Sequence, residues 1–450
     1  MTPITKLRKQ ALRIWQAALK AADPYEAVLR FVEVSEGVLI VSDRRYKLSN
    51  IDRIFVVGGG KASAPMARAV EKRLGKRITG GLLNTKYGHG SLLKRITLQE
   101  SAHPVPDEAG LEGTRRMLKL LQDARKDDLV ICLVSGGASA LMPLPAPPVT
   151  LEEKQEVTRQ LLRSGATIHE INAVRKHLSL VKGGQLAAAA SPARVITLAL
   201  SDVIGDDLDV IGSGITVPDS STFGDALRVL ENRGVWGTVP PAVRERIEKG
   251  AEGLLPETPK PGDPIFEKTQ TVIVGSNRMA LEAAQREAKA LGLRSLILSS
   301  SIDGETCDVA GVHVAIAREM EEFGAPLKPP ACLISGGETT VTMKGDGKGG
   351  RNQEFALAAA LGIEGMQSTV VLSAGTDGTD GPTDAAGAIV DGGTIARARG
   401  LGLEPEVALR ENDSYPLLDA SRDLIKTGPT GTNVMDVRLV LVGARLSSQR

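Results

Sequence analysis

The stretch RIFVVGGGKASAPMARAVEKRL (residues 53–74) sets the architecture: a short β-branched run, a glycine turn, then a helical pattern. The same order recurs in LVICLVSGGASALM (129–142), in TVIVGSNRMALEAAQREAKAL (271–291) and in ACLISGGETTVTM (331–343), where the glycines could instead lead into another strand. Continuous apolar strands followed by helices predict βα crossovers and a mostly parallel sheet covered on both faces. CLVSGG at Cys132 and CLISGG at Cys332 lie 200 positions apart. Six residues are too short to separate a duplication from two strands with similar needs. At the start, Ile4, Leu7, Ala11, Ile14, Trp15 and Ala18 recur at helical spacing and predict an amphipathic helix over 4–20.

Outward from these segments, composition bounds the class. The 450 residues carry 55 Lys+Arg against 54 Asp+Glu, a net charge of +1, with a mean hydropathy of −0.04. That balance excludes a nucleic-acid binder held by a bulk basic field and an acidic disordered tail. Two Trp, four Tyr and six Phe are too few for a base-stacking surface. Glycine, at 49 residues, is in excess of the usual ~7%, which suggests loops built from backbone. Three scattered cysteines (Cys132, Cys307, Cys332) make neither a disulfide framework nor a zinc site. MTPITKLRKQALRIWQ lacks an uninterrupted apolar core, and no run approaches the ~20 apolar residues of a membrane span. A soluble cytoplasmic protein is the expectation. LLPETPKPGDPIF (254–266), with four prolines, reads as a linker and divides the chain into 1–255 and 262–450. A cleft between two such domains would suit a small molecule.

Several loops carry candidate chemistry. GGGKAS (58–63), after a strand and before a helix, would offer amides and Lys61 to an anion; its plainer reading is a tight turn beside a solvated lysine. It is not a Walker A loop, since Phe55 and Ala62 occupy required Gly and Ser/Thr positions. It is not a clean dinucleotide fingerprint either: Ser63 replaces the third glycine, and the next strand ends in Asn84 rather than an acid. VSGGASALM fails as a nucleophile elbow at Leu141 and reads as an anion-cradling turn or as packing. SDVIGDDLDVIGSG (201–214) clusters Asp202, Asp206, Asp207 and Asp209 after the strand 194–200, where magnesium or a helix-capping loop would use them. KGDGKGGRNQEFALAAAL (344–361) could wrap phosphates with its glycines and present the Arg351 fork, or form a bare flexible hairpin. In TDGTDGPTD, Asp377, Asp380 and Asp384 could hold magnesium, take a hydroxyl proton or simply make turns. His103, His169 and His177 do not cluster and read as structural. These parts, with no nucleophile–base pair, suit phosphoryl transfer, which depends on positioning and charge stabilisation.

Taken in series, GGGKAS, SAHPVPD, SGGASAL, SGATIHEINAVRKHLSLVKGGQLA, SDVIGD, ETPKPGD, SGGETTVT, GKGGRNQE, TDGTDGPTDAAGAIVDG and TGPTGTN resemble the glycerate 2-kinase family whose C-terminal half carries the MOFRL region, here about 330–445. The resemblance implies two three-layer α/β/α domains, the first Rossmann-like with a mostly parallel sheet and the second with a mixed sheet. It implies an ATP- and Mg2+-dependent phosphotransferase acting on D-glycerate to give 2-phosphoglycerate and ADP. NAD(P)-dependent hydroxypyruvate reductase, a label some relatives carry, is the alternative. Neither nucleic acid nor membrane is an implied partner, and a homo-oligomer stays open. By the resemblance Lys61, Arg351 and Asp202 are the catalytic candidates. Gly58, Gly59, Gly60, Ser135, Gly136, Gly137, Gly336, Gly337, Glu338, Gly349, Gly350 and Asn352 are nucleotide-binding candidates, and Asp206, Asp377 and Asp380 metal candidates. Two departures stand: GSGITVPD has Ile215 and Thr216 where the family pattern leads one to expect a proline–threonine pair, and TNVMD has Met435 where relatives tend to have a polar residue.

Overall fold

The computed structural model describes residues 2–444. Its contacts divide the chain into two units, Pro24–Val274 and Met1–Asp23 with Gly275–Arg450. The first unit opens with an antiparallel meander, β1 (Val32–Ser35), β2 (Val38–Val41) and β3 (Arg44–Lys47). Its main sheet holds β4 (Ile54–Gly59), β5 (Ile78–Lys86), β6 (Thr97–Ser101), β7 (Leu129–Val134), β8 (Arg194–Leu200) and β9 (Thr269–Gly275) in the order 6-5-4-7-8-9. The pairs from β6 through β8 are all parallel. Every residue of β4 and β7 is buried, as is every residue of β8 after the first. This is why their sequences run apolar without alternation: a strand covered on both faces has no wet side. Helices such as Ser63–Leu74 and Glu108–Leu121 supply the cover, while Ile168–His177, which starts with a capping box between Thr167 and Glu170, packs on the helix Phe223–Asn232.

Strand order reverses around β4. The chain leaves β4 toward β5 and β6 on one side, then returns to β7 and β8 on the other. The carboxyl ends of β4 and β7 therefore flank the crevice where open α/β sheets bind ligands.

The second unit contains β10 (Arg294–Ile302), β11 (Ala331–Gly337), β12 (Thr369–Gly375), β13 (Gly387–Asp391), β14 (Leu424–Ile425) and β15 (Asp436–Val442), ordered 10-11-15-12-13-14. Only β10 and β11 pair in parallel; the remaining pairs are antiparallel, so the sheet is mixed. The helix Arg351–Gly362 lies over it, with Phe355, Leu357 and Ala360 joining Leu333, Val371 and Val440 in one core. The parallel and mixed sheets thus follow the expected architecture.

Two boundaries differ from the sequence reading. The opening helix, Pro3–Ala21, buries Leu7, Ala11, Ile14, Trp15 and Ala18 and packs on the helix Asn277–Ala290, within the second unit. The proline-rich stretch is strapped to the first unit: Thr258 donates to Asp219 at 2.8 Å, and Asp219 N–H donates to Pro259 O at 2.9 Å. Prolines set an extended path, but a buried acceptor decides whether that path hangs free.

Candidate active site

In the crevice of the first unit two glycine loops face each other. Gly60 has a φ of +142°, and a Cβ there would collide with Ser135, so only glycine lets the loops after β4 and β7 touch. The contact is closed by hydrogen bonds: Gly60 N–H donates to Asn84 O (3.0 Å), Lys61 N–H to Gly136 O (2.9 Å), and Ala62 N–H to Ser135 Oγ (3.0 Å). These amides are spent on packing, which corrects the expectation that Gly58–Gly60 and Ser135 cradle an anion with main-chain donors. Gly58 likewise backs onto Leu133 of β7. What the turn leaves open is the Lys61 side chain, whose ammonium has no hydrogen bond or ion pair among the described residues, and the amides of Gly136 and Gly137, which donate to nothing there.

Asp202, at the end of β8, lies against Gly136, while Lys61 Cε and His103 Nε2 both lie beside Gly137. The structure therefore brings Lys61 and Asp202 together at consecutive glycines. It also adds His103, which the sequence reading took as structural. Burial, then the charges of Lys61, Lys86 and His89, lowers His103 to about 4, so its ring is neutral at pH 7. The other aspartates of that loop disperse. Asp207 accepts the Asp209 amide at 2.9 Å, and Asp209 pairs with Lys176. Asp206, at a φ of +57°, keeps one buried carboxylate oxygen without a partner.

In the second unit Arg351 opens its helix and is held as a fork. Its Nε and Nη2 donate to Asp436 Oδ2 and Oδ1 at 2.7 and 3.0 Å, and its Nη1 pairs with Glu338 at 2.9 Å. Burial opposes the charge, but Asp436 more than offsets it and holds Arg351 above its ordinary range. Asp436 is wholly buried and also accepts from Asn352 at 2.9 Å and from Arg438 at 3.2 Å. The sequence reading missed Asp436. Its signal was an acid opening the apolar strand DVRLVLV, a residue that a buried strand keeps only when paired.

Asp380 serves this helix as its N-terminal anion. It accepts the backbone amides of Asn352 (3.1 Å) and Gln353 (2.9 Å) and both side-chain amides, at 3.2 and 2.9 Å. Both oxygens are thereby used, which does not fit a metal ligand. Asn352 is 1% exposed, with its remaining oxygen taken by Ser373 at 2.6 Å, so it faces the protein rather than a cofactor. The glycine-rich loop before Arg351 is likewise folded down, not open. Gly345 and Lys344 donate to Asn412, Gly347 to Glu411, and Gly349 and Gly350 abut Ser414 and Asp380. Gly336 and Gly337 sit against Asn277 and Ile302. Asp377 spends one oxygen on the Thr379 amide at 3.0 Å, leaving the other open. Of the metal candidates, Asp206 belongs to the first unit and Asp377 and Asp380 to the second. Among the described residues, the one group of three candidate ligands close together is Glu305, Cys307 and Glu354, none of which was expected.

A parallel-sheet crevice with a free lysine facing a carboxylate across bare glycines is the layout of a group-transfer enzyme handling an anionic substrate. Comparison with known proteins narrows it. Residues 10–248 match a domain of unknown function, DUF4147, and residues 331–436 match the MOFRL family. A glycerate 2-kinase of Pyrococcus horikoshii is 44% identical over 98% of each chain. An Agrobacterium vitis protein provisionally named a hydroxypyruvate reductase is 44% identical over 87% of this chain and all of its own. The crystal structure of a Thermotoga maritima glycerate kinase superposes with a TM-score of 0.88 at 43% identity, covering 97% of this chain and 100% of that one. The chain belongs to the glycerate kinase family, a family of phosphotransferases with an alcohol acceptor.

Proposed function

We propose that this protein is a glycerate 2-kinase, moving the γ-phosphoryl group of ATP to the C2 hydroxyl of D-glycerate. The observation that carries this reading is the apposition of Lys61 and Asp202 at Gly136 and Gly137. Phosphoryl transfer needs a cation on the migrating oxygens and an acceptor for the hydroxyl proton, with little covalent chemistry from the protein. In this reading the C2 oxygen bonds to the γ-phosphorus as the bond from that phosphorus to the β-bridging oxygen breaks. The hydroxyl proton passes to Asp202, and ADP leaves. Lys61 holds the phosphoryl oxygens, and the open amides of Gly136 and Gly137 reinforce it. The Arg351 fork, pre-set by Asp436, is held in a geometry that suits bidentate binding of an oxyanion. His103, neutral at pH 7, adds no charge beside Lys61.

Two of the aspartates keep an oxygen that could take magnesium: Asp206, through its unpartnered one, and Asp377, through its open one. When bound, the ion neutralises phosphate charge. The unpaired cysteines fit a reducing cytoplasm. The reductase reading is disfavoured by Asn84. At the end of β5, where a dinucleotide site places its ribose-binding acid, Asn84 is buried and donates to Gly110 O (2.9 Å) and Leu141 O (2.7 Å). A paired assay decides. ADP release that requires D-glycerate, with 2-phosphoglycerate identified by phosphorus NMR, is expected. Hydroxypyruvate-dependent loss of NAD(P)H without ADP release would overturn the reading.

A further inference from the structure

Along the helix Ile168–His177, charged neighbours are treated differently. Lys176 pairs with Asp209 and Asp219, and His177 bonds Glu257 at 3.0 Å. Arg175, beside them, makes no hydrogen bond or ion pair among the described residues. Asn172, three residues earlier and so on the same helical face, is 3% exposed, and its Nδ2 has no partner. Its Oδ1 accepts from Ser213 Oγ at 3.0 Å; Ser213 Oγ is 2.8 Å from Ser139 Oγ; and Lys182 Nζ donates to Ser139 Oγ at 3.0 Å and to Ser139 O at 2.8 Å. Lys154 donates only to Leu178 O, at 3.2 Å. None of the three cations is in an ion pair, although Lys154 and Lys182 are nearly wholly buried. Burial, then Arg175, pushes both lysines well below their usual range.

A buried basic group without a counter-charge is costly to charge: it gives up its proton unless an anion supplies the missing charge. Ser139 stands two residues after Gly137, so this chain of donors begins at the Lys61–Asp202 apposition and runs behind it. We propose that Arg175, Asn172 and Lys182 form an oxyanion subsite of the same active site, taking either the carboxylate of the acid or the phosphates of the nucleotide. The subsite rests on the kinase reading for its ligands, but not for its test. A binding measurement needs no turnover.

The experiment titrates the purified full chain by calorimetry with inorganic phosphate, with pyrophosphate and with D-glycerate, each alone, comparing wild type with Arg175→Gln and Arg175→Lys. Loss of at least tenfold in affinity is expected for Arg175→Gln, with Arg175→Lys between it and wild type because charge survives and the fork does not. Loss confined to D-glycerate assigns the carboxylate; loss confined to the phosphates assigns the nucleotide. Ligand-free Arg175→Gln is expected to melt no lower than wild type, because an unpaired charge has been removed. Unchanged affinity for all three anions, or no binding by wild type, overturns the subsite. Absence of glycerate-dependent ADP release beside Arg175-dependent anion binding would overturn the kinase reading alone.

Discussion

Lys61 and Arg351 both follow glycines, at the end of β4 and at the start of the helix Arg351–Gly362, yet their surroundings differ. Lys61 has a mobile four-carbon stem and no partner among the described residues. Arg351 is clamped by Asp436 and Glu338 before any substrate arrives. The first cation is strongly hydrated and must exchange that water for a ligand. The second has already met the cost of ordering. Substitutions at the two sites should therefore separate activity from stability in opposite ways. Lys61→Ala is expected to lower kcat/KM by about 1000-fold, about 4 kcal/mol, while leaving the urea midpoint unchanged. A large shift in that midpoint would show that the lysine supports the fold.

Asp436→Asn tests the other half. It leaves Arg438, 1% exposed, and half-buried Arg351 without their shared carboxylate. A destabilisation of about 3 kcal/mol in urea unfolding is expected, together with loss of turnover as the fork slackens. If Asp436→Asn were inactive but fully stable, Asp436 would touch substrate rather than position Arg351.

The same contrast explains what could be read from the chain. Apolar runs without alternation are a local signal, so β4, β7, β8 and β11 are legible, and with them a mostly parallel sheet; the mixed second sheet came from the family resemblance. Glycine loops were legible as places but not as functions. Whether an amide is free depends on a partner far away in sequence: Ser135 takes Ala62, Asp380 takes Asn352 and Gln353, and Asn412 takes Lys344. Asp380 looked like a metal ligand because a capping acid and a ligating acid read alike in sequence, and the amides it caps lie 27 and 28 positions away. The proline-rich segment misled for the same reason. Met435 is a subtler case: it takes a φ of +67°, a left-handed conformation in which Asn or Asp is the common side-chain occupant.

Each unit also holds a histidine displaced to about 4, which allows a finer test. His313 is core: Nδ1 meets Val309 O at 2.8 Å, Nε2 meets Ser335 Oγ at 2.8 Å, and its ring meets Phe355 edge-on. Burial is the main cause of its shift. The folded chain then binds this proton at about 4 and the unfolded chain near 6.5, so acid favours unfolding across that window. Between pH 7 and 4.5 wild type should lose roughly 2 kcal/mol more stability than His313→Gln, read from urea midpoints at each pH. Parallel pH curves for the two proteins would mean that His313 is already protonated in the fold.

His103 reaches a similar value by a different route, because the Lys61 ammonium adds to burial there. Lys61→Met deletes that charge and leaves the burial in place. The His103 ring should then titrate at higher pH than in wild type, while His313, whose cationic neighbour is Arg438, should not move. Proton–carbon NMR of the imidazoles over pH 3–8 reads both in one sample. An unmoved His103 would mean that the lysine's charge is not felt at Gly137. The cation that steadies the migrating phosphoryl oxygens would then have to be sought among the lysines and the arginine behind that loop.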